Sequence, residues 1–199
     1  MKIVEPIREK KQIDAIKVIL ASGKKGKRNE LLFSIGINTA YRISDLRRLK
    51  ISDVLIISRE RVVAKERLEM KEQKTGKYNS IIISKKLQKL ILEYCKTEFS
   101  DELANRDFDH YLFPSQKGND EPMKRQTVWE ILSNAAKTIG VNNIGSHSMR
   151  KTFGYFLYKN GTSVEIIQEL LNHSSQRETL RYIGITQEDK DTAVISLDL

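Results

Sequence analysis

The sequence predicts a mainly α-helical chain with a small antiparallel β-sheet, an α+β arrangement, and three observations carry that reading. Apolar residues recur at helical spacing over most of the chain. Between Val54 and Ser84 the period shortens to that of strands, with KTGK as a turn. The composition, 39% hydrophobic and 31% charged over 199 residues, is enough for one full hydrophobic core. We therefore read residues 1–199 as a single domain, with a core at about 5–184 and a C-terminal tail at 185–199.

Ile3 to Leu20 reads as a connecting strand and then a helix, with Pro6 ahead of the apolar set Ile13, Ile16, Val18, Ile19 and Leu20. The basic, Gly-punctuated GKKGKR follows. Its Lys24, Lys25, Lys27 and Arg28 are either solvated charges or phosphate contacts that position without specifying. Glu30 to Ile37 is an apolar helix of interior character. In NTAYRISDLRRLKISDV, Thr39 caps a helix whose Ile43, Leu46 and Leu49 face inward, leaving Arg42 in the first turn with Asp45 one turn on to hold the guanidinium. A plain surface ion pair is the alternative.

Val54 to Ile57, Arg61 to Gln73 and Tyr78 to Ser84 are short strands, the last two forming a hairpin with Lys74 at its tip and Lys77 as a competing lysine. Lys85 to Phe99 is a helix in which Cys95 is a buried, inert thiol beside Leu87, Leu90 and Ile91. Ser100 to Asp109 is a polar, acidic connection, and SQKGNDEP a variable loop. Met123 to Ile139 is a helix with a basic start at Lys124 and Arg125, and Trp129 is placed among its packing residues.

The stretch from Ser146 to Gly184 concentrates chemistry. His147 and Arg150 lie three apart on one helical face with Gly154, away from Met149, Phe153, Phe156 and Leu157. Thr162 and Glu165 suggest a capping box for a second helix that ends at Asn172-His173. Tyr182 follows on a short amphipathic run that Gly184 ends. Each residue taken alone has an ordinary structural explanation; the ordered set is far more specific.

The charge balance, 35 Lys plus Arg against 26 Asp plus Glu with a pI near 9.5, suits a polyanionic partner and does not by itself separate nucleic acid from a membrane surface. No apolar run approaches a membrane span and the N-terminus lacks a signal peptide's apolar region, so we expect a cytoplasmic protein. One cysteine and three scattered histidines argue against a disulfide or a metal centre, and no cofactor motif stands out.

HSMR, LLNHSS and TLRYIG, in this order and spacing, resemble the C-terminal signature of the tyrosine recombinase (phage integrase) family, including the nine-residue interval from His173 to Tyr182. Asn172 stands where the family usually has Gly, a substitution that the left-handed conformation at a helix end permits. TAYRISDL resembles the family's first-arginine motif, with Ala40 and Tyr41 replacing Gly and Leu. The resemblance spans nearly the whole chain and implies the fold of the family's catalytic domain, without the N-terminal domain that completes the clamp on DNA. It implies a site of Arg42, Lys74, His147, Arg150, His173 and Tyr182. In it Tyr182 is the nucleophile, the arginines hold a phosphate, His147 orients or accepts the tyrosyl proton, Lys74 protonates the leaving 5′-oxygen and His173 hydrogen-bonds the phosphate. It also implies double-stranded DNA as partner, assembly of several subunits on DNA, and no metal or ATP; the apolar tail either folds back on its own domain or docks on a neighbouring protomer and so couples subunits. Lys24, Lys25, Lys27, Arg28, Lys77, Lys124 and Arg125 are candidate backbone contacts. Three other readings stay open: a type IB topoisomerase-like relaxing enzyme, a non-catalytic DNA-binding module, and an unrelated basic helical protein.

Overall fold

A computed structural model describes residues 4–116, 121–145 and 147–197. The expectations that touch Ile3, the centre of the 115–122 loop, Ser146 and Leu199 fall outside the described residues.

Helix α1 (Lys10–Ser22) buries Ile13, Ile16 and Leu20 and packs on α2 (Gly26–Asn38). The segment before α1 is not a strand; it is lashed to the rest of the chain by single bonds, among them the Ile7 N–H to the Thr152 hydroxyl at 2.9 Å. Of the basic run, only Gly23 to Lys25 form the turn. Gly26 opens α2 so close to the Ala21 carbonyl that a Cβ there would overlap it, which explains the glycine. Leu31 to Gly36 are buried all round α2, making it the central helix.

Thr39 does not cap the next helix. It ends α2, donating its hydroxyl to the Ile35 carbonyl at 2.9 Å, and the chain then runs extended through Arg42, the N-cap residue of α3 (Ile43–Leu46). After α4 (Ile51–Val54), the expected single sheet is instead two separate hairpins among the described residues. β1 (Leu55–Ser58) pairs with β2 (Arg61–Ala64), turning through Arg59 and Glu60 at positive φ. β3 (Arg67–Lys71) pairs with β4 (Tyr78–Ile82), Lys71 opposite Tyr78, so residues 72–77 form the tip. Residues 65–66 separate the two pairs, whose buried strand residues are Leu55 in the first and Leu68 and Ile81 in the second.

Helix α5 (Lys85–Glu98), capped by Ser84, buries Leu87, Ile91, Tyr94 and Cys95. Burial pushes the Cys95 thiol up to about 12. The polar connection contains a short helix, α6 (Ser100–Ala104), and α7 (Arg125–Thr138) follows with Val128, Leu132, Ala135 and Ala136 inward. Trp129 is 39% exposed and lines a surface cavity with Val4 and Lys137, so it is not a core residue.

The C-terminal part stacks α8 (Ser148–Lys159), α9 (Val164–Leu170) and α10 (Gln176–Ile183), with α11 (Gln187–Ile195) beyond. Ser163, not Thr162, caps α9. Met149 of α8 packs against Gly36 of α2 so closely that any side chain at 36 would collide with it. Among the described residues no helix is long and apolar enough to cross a membrane.

Candidate active site

Arg42 enters the site because of its neighbour. Tyr41 is 1% exposed, and its hydroxyl lies 2.8 Å from the carbonyls of both Leu68 and Asn79, one on each strand of the β3–β4 hairpin. That side chain ties the start of α3 to the hairpin whose tip carries Lys74. Arg42, Lys74 and His147 then line one open cleft of about 300 Å³, together with Arg125, Ile43 and Ser44.

Asp45 does not hold Arg42. Asp45 Oδ1 accepts the Gln73 N–H at 3.1 Å, and Arg42 Nη1 donates instead to Glu72 Oε2. Glu72 is wholly buried and also accepts from Thr75 Oγ1 at 2.9 Å and from Asn172 Nδ2 at 3.0 Å. Arg150 Nη2 lies 4.0 Å from its Oε1 and donates to the Leu171 carbonyl. The two guanidiniums thus converge on opposite oxygens of one carboxylate. Arg150 Nε is buried with no hydrogen-bond partner among the described residues. An unsatisfied buried donor is costly.

Tyr182 completes the arrangement. Capping by Ser175 starts α10, and Gly184 at φ 81 stops it. The Tyr182 ring sits edge-on to His173, with centroids 4.7 Å apart, and the Arg150 guanidinium is 5.9 Å from its centroid. Its hydroxyl is 3.4 Å from His147 Nδ1. Burial raises the phenol's pKa, while Arg150 and Arg42 pull it back down. Burial lowers both imidazoles, with neighbouring cations, Arg125 first, adding to the effect on His147, and His173 falls to about 4. At neutral pH both rings are uncharged. His173 Nδ1 lies 3.2 Å from the Thr179 hydroxyl, and Thr179 is fully buried.

The structure therefore brings Arg42, Lys74, His147, Arg150, His173 and Tyr182 into one constellation. Lys77 is exposed and does not line the cleft, although its carbonyl accepts the Glu72 N–H at 2.9 Å. The basic-turn candidates divide. Lys24 is exposed, Lys25 pairs with Glu98 at 3.0 Å, and Lys27 bonds Thr97 at 3.0 Å. Arg28 is only 6% exposed and its guanidinium donates to the Asn29 side chain. Lys124 shares a second cleft with Lys24, Lys25 and Arg28, and Arg125 belongs to the first.

Sequence reasoning missed three residues. Glu72 was legible in principle, since Leu68, Met70 and Glu72 alternate inward along the strand and its end. Asn172 was read only as a left-handed helix end, which it is at φ 51, and not as a donor to Glu72. Lys151, whose ammonium is 5.1 Å from the Tyr182 ring centroid, gave no signal among so many lysines. The space beside Gly154 is filled by Ile183 and Leu171.

Residues 8–189 match the model of the phage integrase family. The chain belongs to that family. It is 39% identical over 192 residues to the probable integrase/recombinase YoeC of Bacillus subtilis (strain 168), covering 96% of this chain and 94% of YoeC. The XerA recombinase crystal structure shares its fold with a TM-score of 0.73 at 20% identity, over 98% of this chain and 64% of XerA. XerH site-specific recombinase, bound to palindromic difH substrate in a post-cleavage complex, gives 0.70 at 19% identity. There this chain is covered completely but spans only 54% of the XerH chain. As an integrase-family member, the protein is not an unrelated basic helical protein.

Proposed function

We propose that this integrase-family chain is a site-specific DNA strand transferase that cuts and rejoins double-stranded DNA through a phosphotyrosyl intermediate, in the integration or excision of a mobile element. The observation that carries the reading is the placing of one tyrosyl hydroxyl against a neutral imidazole and beside two convergent guanidiniums. The recombinases and integrases among its relatives favour strand exchange over relaxation alone.

Each step has a residue. Arg42 and Arg150 hold the non-bridging oxygens of the scissile phosphate, because planar guanidinium forks match phosphate and stay charged. Tyr182 Oη loses its proton to His147 Nδ1 and attacks phosphorus, forming the O–P bond. The bond from phosphorus to the 5′-oxygen breaks, and that oxygen takes a proton from Lys74, which lines the same cleft. Rejoining reverses the sequence, with a 5′-hydroxyl displacing the tyrosine. The phosphodiester bond energy is conserved in the covalent link, so no ATP is consumed. The transition-state charge is met by fixed cations, so no metal is needed. His173 donates to the phosphate from Nε2, which requires the Thr179 hydroxyl to turn from the Ser175 carbonyl, 3.1 Å away, and donate to Nδ1.

We place the activity in the cytoplasm, with the nucleoid, and assign residues 1–199 to one catalytic domain. A nicked suicide substrate tests the reading: the nick lets the cleaved end diffuse away and traps the protein–DNA adduct. A covalent complex that resists chelators and needs no nucleotide is expected; failure to form one, or cleavage that stops when divalent ions are removed, overturns it.

A further inference from the structure

The proposed chemistry assigns no task to Glu72, yet Glu72 is where the site is joined. Its carboxylate is wholly buried, so it presents no oxygen to the cleft and stands behind the guanidiniums. Four segments meet on it: Arg42 before α3, Thr75 in the tip that carries Lys74, Asn172 at the turn that carries His173, and Arg150 of α8. We infer that Glu72 is the positioning residue of the site, its two oxygens setting the spacing of the two guanidiniums and holding the Lys74 tip and the His173 turn in register with them.

Charge and hydrogen bonding both point this way. Two guanidiniums, 13% and 3% exposed at their side chains, repel one another unless an anion lies between or behind them. Burial pushes the Glu72 carboxyl up, but donation from Asn172, Arg42 and Thr75 together outweighs it and keeps the group below the usual carboxylate range. The carboxylate therefore stays charged at neutral pH. Arg42 spends one nitrogen on Glu72 and still lines the open cleft, so the fork is braced from behind and remains available in front. Asn172 serves the same end: its left-handed backbone ends α9, and its side chain then reaches back to Glu72.

This inference rests on the strand-transfer reading, and Glu72→Gln tests it on the full chain with the suicide substrate. The amide keeps the shape and one acceptor oxygen but removes the charge. A positioning role predicts opposite movements: single-turnover covalent attachment slows by roughly 100-fold, as when one aligned transition-state donor is lost, while non-covalent DNA affinity holds or tightens because the site gains net positive charge. A merely structural role would lower rate, affinity and thermal stability together, and that pattern overturns the inference, as does a folded variant with the wild-type rate. If Glu72→Gln does not fold, Glu72→Asp replaces it, keeping the charge but withdrawing it by one methylene. A slower rate at unchanged affinity then supports positioning, and a wild-type rate sinks it. The two failures are separable: if the wild-type protein also forms no adduct, the strand-transfer reading is what fails.

Discussion

Tyr182 Oη and His147 Nδ1 meet at 3.4 Å although 35 residues of chain separate them. Such contacts are often long in unliganded sites and tighten when substrate arrives. An uncharged His147 can accept a proton, but its lowered pKa and the raised pKa of the phenol both oppose the transfer, so in the proposed reaction the proton moves only as the Tyr182 oxygen bonds to phosphorus.

Tyr182→Phe removes that hydroxyl and no charge. Its ring keeps its place between Arg150, Lys151 and His173. Covalent attachment is expected to vanish while non-covalent binding, measured by gel shift, stays within about twofold, since phosphate contacts dominate affinity. Residual adduct in the Phe variant would assign the nucleophile elsewhere.

Arg42→Ala and Arg150→Ala are each expected to slow attachment by about 3 to 4 kcal/mol or more, the scale of losing an oxyanion donor. Arg150→Lys should recover little, because a single ammonium cannot reach both the Leu171 carbonyl and a phosphate as the fork does. Single-turnover rates on the folded fraction decide the matter.

His173 ties stability to acid. Its folded value near 4 lies below the usual 6.5, so between those pH values the unfolded chain binds the extra proton and stability falls as pH falls. The contribution, about 3 kcal/mol at most, is fully present above pH 6.5 and lost towards pH 4. Urea midpoints at several pH values should show this decline, and His173→Gln should flatten it.

Gly154→Ala places a Cβ 2.7 Å from Ile183 Cγ2 and 3.2 Å from Leu171 Cδ1. Ile183 is the residue after Tyr182, the proposed nucleophile, and Leu171 supplies the carbonyl that accepts from Arg150. We expect a loss of about 1 to 3 kcal/mol in stability, and a slower cleavage rate at unchanged DNA affinity. A stable variant with full activity would show that α8 and α10 can separate freely.

The tail makes the last prediction. Thr186 and Asp189 form a capping box for α11, yet no residue of α11 is buried, and Val194, Ile195 and Leu197 are 68%, 77% and 64% exposed. Folding back onto its own domain, one of the two expectations, is not what the structure shows for residues 186–197, none of which is buried; Asp189 of α11 pairs with Arg8 at 3.9 Å. Deleting residues 186–199 should therefore leave thermal stability within about 0.5 kcal/mol, the range of surface changes, while abolishing cooperative assembly on DNA and strand exchange. A deletion that unfolds the protein would place the tail in its own core.

The helices were largely legible because their buried faces repeat in sequence. The second sheet was not separated from the first, since strand period says nothing of which strands pair. Caps were misassigned at Thr39 and Thr162 because several hydroxyls near a boundary can each serve, and the neighbouring backbone conformation selects one.

What the sequence by itself determined is the local half of this protein: helical faces, the hairpin tip at Lys74, the glycine end after Tyr182, and an ordered set of Arg, His and Tyr specific enough to indicate the family. The fold alone decided who partners whom. Arg42 turns to Glu72 and not to Asp45, three residues away in sequence, because the carboxylate offered by the hairpin is buried, braced by Thr75 and Asn172, and reached by a chain that is extended at 42. A buried anion is chosen by the three-dimensional set of donors that desolvates and satisfies it, and no spacing along one helix encodes that set.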